Sequence, residues 1–332
     1  MRNPLTLLVI LVVVVLAVVF VIRSGSQEAV PEAATTTGAP ASTAAPTTTA
    51  EPAASTSTTL RRLPDGEVCE LYSTINVSGS VENPDLVEAS GLAMSRQSPG
   101  VLWSHNDSRG GPFLYAFDTT GSDLGAFEVP DAFSLDWEDI GAGPGPDGEQ
   151  SYLYVGDMGD NFGIRDGVIT VWRVPDNDPS AMTGAFPESD AIVLKMPDGP
   201  HDAEALFVDP VEPAIYVVTK SRSEAFVFKG PMTSGSEPAA MELATTLFLD
   251  AEVSGADITA DGSVIALRGY QTVWLWGRQQ GQSIAEALGS EPCLAPSPEE
   301  RQGESIAFDP TWSYLTVSEG EHPDIHIVPS GE

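Results

Sequence analysis

One phrase recurs along the chain and constrains the rest of the reading. EASGLAMS begins at Glu88, DWEDIGAG at Asp136, DAEALFVD at Asp202, SGADITAD at Ser254 and QGESIAFD at Gln302. Each is followed by a second short apolar run: VLWSHND, YLYVGDMGDN, AIYVVTKSR, SVIALRGYQ and SYLTVSEGE. A third run follows in turn: FLYAFD, VITVWRV, EAFVFKG, TVWLWG and DIHIVP. A fourth precedes the next phrase as LGAFEVP, DAIVLKMP, ATTLFLD and, weakly, EPCLAPS. Gly, Pro, Asp and Ser punctuate the runs and helical periodicity is nearly absent, so the region is all-β. A period of roughly 50 residues built from four strands predicts the blades of a β-propeller. Five four-stranded blades are expected. The long interval from Asp136 to Asp202 leaves six open.

The fifth repeat lacks a fourth strand, and Leu71–Val81 (LYSTINVSGSV) supplies it from the other end of the region. The ring is therefore expected to close with its amino-terminal strand, which removes exposed sheet edges. Only two cysteines occur, Cys69 beside that strand and Cys293 in the outer strand of the preceding blade. Outside the cytoplasm they would form a disulfide beside the seam, and in a reducing compartment they stay free. Trp103, Trp172, Trp274 and Trp276 fall inside strands, which reads as packing between blades rather than a stacking platform.

Upstream of residue 67 the composition changes. Leu5–Ile22 is an uncharged run, apolar apart from Thr6, flanked by Arg2 and Arg23. It is just long enough to span a bilayer and ends without a good cleavage site, so residues 1–23 read as an uncleaved signal-anchor, with a removed signal as the alternative. Residues 24–66 are rich in Ala, Thr, Pro and Ser and are expected to be a disordered stalk of about 35 Å or more. Residues 67–332 form the propeller domain, placed by this reading on the extracytoplasmic side of the cell membrane. The chain carries 48 acidic and 15 basic residues. Beyond the first 62 residues the balance is 45 against 11, which excludes nucleic acid as a partner. Such an excess is either a solvated acidic coat or a surface that binds cations.

Antiparallel pairing puts the start of each first strand and the end of each second strand at one mouth of the ring. Aligned on Leu92, Ile140, Leu206, Ile258 and Ile306, the position two before reads Ser90, Glu138, Glu204, Ala256 and Glu304. The position four before reads Glu88, Asp136, Asp202, Ser254 and Gln302. The second-strand exits add Asn106 and Asp107, Asp157 with Asp160, Lys220, Arg268 and Glu319. Carboxylates crowded in this way repel one another and raise each other's pKa, which a hard divalent cation or interleaved Lys and Arg relieves. Gly156, Gly159 and Gly163 would let backbone carbonyls point inward, although Asp, Asn and Gly are also ordinary turn formers. Lys220 and Arg268 would either hold an anion or neutralise Glu204 and Glu304. Zinc spacings of the H-E-x-x-H kind and a G-x-S-x-G elbow are both missing from the sequence.

As a set, ASGLAMS, DWEDI, YVGDMGDN, DAEAL, VVTKSR, ALRGY and QGESIAF resemble a family of secreted bacterial propellers loosely similar to phytase-like, or esterase-like, propellers. The resemblance implies calcium held by Asp136, Glu138, Asp157, Asp160, Asp202, Glu204 and Glu304, with Lys220 and Arg268 on an anion. Ala256 departs from the pattern, and the basic set is thinner than the resemblance asks for. Three functions follow as expectations. The first is a membrane-tethered propeller binding a small anionic ligand or envelope component, with calcium, at its acidic rim. The second is a metal-dependent phosphoesterase, and the third a structural or adhesion module of the cell envelope.

Overall fold

The computed structural model describes Leu60, Leu63 and residues 68–108 and 110–331. The expected anchor and most of the expected stalk lie outside the described residues. Among the described residues no helix is long and apolar enough to cross a membrane. The predicted runs form five sheets, and no sixth blade hides in the long interval. The first blade contains β2 (Ala89–Met94), β3 (Val101–Asn106), β4 (Phe113–Asp118) and β5 (Asp123–Glu128). The second contains β6 (Trp137–Pro144), β7 (Ser151–Asp157), β8 (Val168–Pro175) and β9 (Asp190–Lys195). The third contains β10 (Ala203–Asp209), β11 (Ala214–Thr219), β12 (Ala225–Gly230) and β14 (Glu242–Leu247). The fourth contains β15 (Gly255–Ile258), β16 (Val264–Gly269), β17 (Thr272–Gly277) and the short β18 (Cys293–Ala295), after a one-turn helix α1 (Ile284–Leu288). The fifth contains β19 (Gly303–Phe308), β20 (Tyr314–Ser318) and β21 (Asp324–Val328), completed by β1 (Asn76–Ser80).

The ring thus closes through β1 against β21, with Asn76 opposite Ile327 and Ser80 opposite Asp324. Inner strands β2, β6, β10, β15 and β19 abut in that order around the axis, and β19 returns to β2. Between the blades lie apolar clusters. Trp103, Trp137 and Trp172 join the first two blades, and Trp274 and Trp276 meet Phe207 and Tyr216 between the third and fourth. Each fully buried aromatic of this kind contributes on the order of 2 kcal/mol through area removed from water. The tryptophans are packing elements, as their positions in the strands indicated.

One element departs from the up-and-down pattern. β13 (Gly235–Ala240), between β12 and β14 in sequence, pairs in parallel with β9 of the preceding blade. It straps the second and third blades together, and Pro238 is tolerated because the strand is an edge. Cys69, in the 3-10 turn Val68–Leu71 ahead of β1, is disulfide-bonded to Cys293 of β18, with Cα atoms 5.9 Å apart. The loop it closes spans 224 residues. In the chain-entropy view such a bond stabilises by at most about 5 kcal/mol.

Candidate functional site

The inner strands carry a local irregularity that the sequence does not announce. In four blades the register slips by one residue near the mouth: between Ala89 and Gly91, Trp137 and Asp139, Ala203 and Ala205, and Gly303 and Ser305. The bulged residues are Ser90, Glu138, Glu204 and Glu304. A bulge kinks its strand and re-aims the side chain. In the fourth blade Gly255, Ala256 and Asp257 pair in unbroken register, and that blade carries Ala256 at this position. The recurring glutamates are therefore bulge residues gathered at the axis. Glu138, Glu204 and Glu304 are all buried. Ser90 completes the set by donating through Oγ to the Glu138 carbonyl at 2.8 Å and to Glu304 Oε2 at 3.5 Å.

Electrostatics tie these groups together. Burial, followed by Glu204, Asp107 and Asp136, pushes the Glu138 carboxyl far above the usual range. Burial followed by Glu319 and Glu204 does the same for Glu304. Glu204 is also raised by burial, although Lys220 Nζ donates to its Oε1 at 2.8 Å. That lysine is itself raised: burial opposes its charge, but Glu204 and Tyr270 together outweigh burial. Lys220 also lies over the Tyr270 ring at 5.9 Å. Asp107 is pushed up to about 7 by burial, Asp136, Glu204, Glu88 and Glu319. Asp136 is raised by burial, partly offset by Arg165.

Candidate ligand atoms of Asp107, Asp136 and Glu138 all lie within 4.8 Å of one another. Among the described residues no N–H or hydroxyl donor bonds the Glu138 carboxyl, which is 4 % exposed; its hydrogen-bonding neighbour is Glu204, another carboxyl. Gly159 closes the side of this cluster. A Cβ there would stand 2.0 Å from Glu138 Oε1 and 2.6 Å from Asp136 Oδ2, so a larger residue would displace these carboxyls. The donor set fits a hard divalent cation: it offers carboxylate oxygens only, grouped in a small volume, with one buried member lacking any donor.

The other predicted metal ligands have different work. Asp157 accepts from Leu135 N at 3.2 Å and Asp136 N at 3.3 Å and pairs with the Arg165 guanidinium. Asp160 accepts from Ile164 N at 2.7 Å and Arg165 N at 3.1 Å. Asp202 accepts from Asp160 N at 2.7 Å. Arg165 further donates to the Gly159 carbonyl at 2.5 Å. The acidic end of YLYVGDMGDN is thus largely a folded loop whose carboxylates cap backbone N–H groups, and that loop delivers Gly159 to the cluster. Arg268 also departs from its expected role. It is fully buried, pairs with Glu300 and donates to the Ser305 carbonyl at 3.1 Å, so it holds the fourth and fifth blades together, with Glu304 acting on it only through space. Asp107 takes a place among the candidate ligands. Its position at a second-strand exit put it at the mouth, but nothing in the sequence set it apart from Asp157, whose partner Arg165 is visible only in the fold.

Beside the mouth, on the third and fourth blades, a cavity of about 370 Å³ is lined by Arg222, Tyr270 and Arg301 together with Asp250 and Glu252. Arg222 Nε donates to Glu252 at 3.0 Å. Arg301 has no ion-pair partner among the described residues.

No family model and no curated protein matches the chain. Solved structures do. The PQQ-bound aldose sugar dehydrogenase of Streptomyces coelicolor aligns at 12 % identity over 77 % of this chain and 98 % of its own, with a TM-score of 0.46. Two glucose dehydrogenase structures align at 10 % identity over 78 % of this chain and 100 % of theirs, each with a TM-score of 0.46. The resemblance to phytase-like propellers drawn from the phrases finds no support in these matches.

Proposed function

We propose that this chain is a membrane-tethered, extracytoplasmic propeller whose mouth binds calcium at Asp107, Asp136 and Glu138 and, with it, a small anionic ligand. The observation that carries the reading is Glu138: a buried carboxyl surrounded by other carboxyls, beside a glycine that leaves it room. Oxygen donors of this kind match calcium better than a softer metal. A bound cation would offset most of the cluster's charge and offer an open coordination position to an anion, with Lys220 and the arginines of the neighbouring cavity on the same face. The Cys69–Cys293 bond supports an oxidising compartment. Leu5–Ile22 would supply the anchor.

The test is metal analysis of the purified full chain, followed by thermal melting in calcium or in chelator. Calcium should co-purify or bind, and should raise the melting temperature by several degrees. No bound metal together with unchanged melting would leave only the structural module. The phosphoesterase reading is less favoured, because Arg268, one of its two anion-holding cations, is paired with Glu300 inside the fold. Calcium-dependent turnover of p-nitrophenyl phosphate would restore it.

A further inference from the structure

The far end of the central channel holds a second cavity, of about 220 Å³, where inner strands β2, β6, β15 and β19 end. Met94, Ala142, Ile258 and Phe308 give it apolar walls, Ala260 stands on its rim, and Arg96, Asp257 and Asp309 line it. The strands that bring carboxyls to the mouth therefore bring an arginine to the opposite face.

Arg96 is held in place by its backbone. Asp176 accepts from Ser95 Oγ at 2.7 Å, Arg96 N at 2.8 Å and Gln97 N at 3.0 Å, which fixes the turn that carries the side chain. The guanidinium itself bonds to nothing among the described residues. The acids that surround it electrostatically are Asp257, Asp176 and Asp209. Each has an oxygen engaged elsewhere, while Asp209 Oδ2 is buried without a hydrogen-bond partner among the described residues. Asp176 serves the turn, Asp209 accepts from Arg278 NH1 at 2.7 Å and Asp257 accepts from Phe308 N at 2.7 Å. Asp309, at the cavity's edge, is taken by Thr311 and Ser313. The Arg96 side chain is half-buried, its guanidinium has no acceptor among the described residues, and its forked donors suit a carboxylate. Apolar walls with a few polar groups that fix orientation are the usual make-up of a small-molecule pocket.

We propose that this cavity is a second binding site, independent of the mouth, for a small monocarboxylate with an apolar body, its carboxylate on Arg96 and its body against Met94, Ala142, Ile258 and Phe308. The probe is benzoate, titrated into the full chain in detergent with chelator present, and followed calorimetrically. Benzoate should bind saturably, and benzamide, which has the same shape without the charge, at least about tenfold more weakly. Arg96→Met should abolish benzoate binding, while Glu138→Gln, at the mouth, should leave it unchanged. Ala260→Leu narrows the rim with the guanidinium in place and should weaken binding even if Arg96→Met proves unstable. Equal binding of benzoate and benzamide, benzoate binding retained in Arg96→Met, or an Ala260→Leu variant that binds as the parent does would overturn the proposal. So would an absence of saturable binding. Because chelator is present throughout, these outcomes are separate from the fate of the calcium reading.

Discussion

Glu138 occupies a place where a negative charge is hard to keep, and its amide counterpart should be more comfortable there. Glu138→Gln removes the charge without changing the shape, so the metal-free protein should melt about 2–4 °C higher, corresponding to roughly 1 kcal/mol in a domain of this size. The same substitution should erase the rise produced by calcium, and differential scanning fluorimetry in chelator and in calcium reads both effects. The raised carboxyls also set a pH dependence. Asp107 and Asp257 move from 3.8 to about 7, both mainly through burial. A group that keeps its proton longer in the fold than in the unfolded chain makes the native state the better proton binder, so its contribution is complete at low pH and is lost as pH rises through the folded pKa. In chelator the melting temperature should therefore fall between about pH 5 and about pH 8; a flat profile would contradict these shifts. Calcium should shrink the fall, since it takes the place of the protons. At this scale the sequence was partly legible. The recurring Glu two residues before the aligned Ile or Leu marked Glu138, Glu204 and Glu304, because residue type and spacing repeat together. The competition of Arg165 for Asp157, and of Glu300 for Arg268, was hidden, because each pairing depends on loop geometry or on contact between blades.

The elements explain why the acids meet at all. Bulges in β2, β6, β10 and β19 turn one residue each toward the axis. Directly after the bulge of β6, Asp139 performs a different task. Its Oδ1 accepts from Ile140 N at 2.8 Å, and its Oδ2 from Leu206 N at 2.8 Å and Ala256 N at 3.0 Å. One fully buried carboxyl thereby stitches β6 to β10 and β15 across the channel. Burial nevertheless pushes its pKa well above the usual carboxylate value, and the three N–H donors only moderate the rise. Asp139→Leu should leave these donors without an acceptor and cost about 3 kcal/mol, at about 1 kcal/mol per abandoned group, measured by urea denaturation. The strands themselves were readable from apolar runs between turn residues. β13 was not, because GSEPAA has neither alternation nor β-branched residues and pairs only because β9 offers it an open edge. A one-residue slip leaves no trace in composition, so the bulges were equally silent.

For the whole molecule the governing quantity is charge. A formal net charge of −33 makes the compact state repel itself, and the repulsion is screened within about 10 Å at 0.1 M salt. The melting temperature should rise between low and moderate sodium chloride even in the presence of chelator. A melting temperature independent of salt would mean that the acids are too dispersed to matter. Ring closure by the amino-terminal strand was legible because the fifth repeat stopped one strand short. The strap from the third blade to the second was not. The seam has a mechanical consequence. Cys69 precedes β1, and its sulfur is joined to β18 in the neighbouring blade. A pull on the chain ahead of Cys69 is therefore handed across that covalent link into the fourth blade before it can unzip β1 from β21. Force arriving from upstream loads the wall of the ring and spares its clasp.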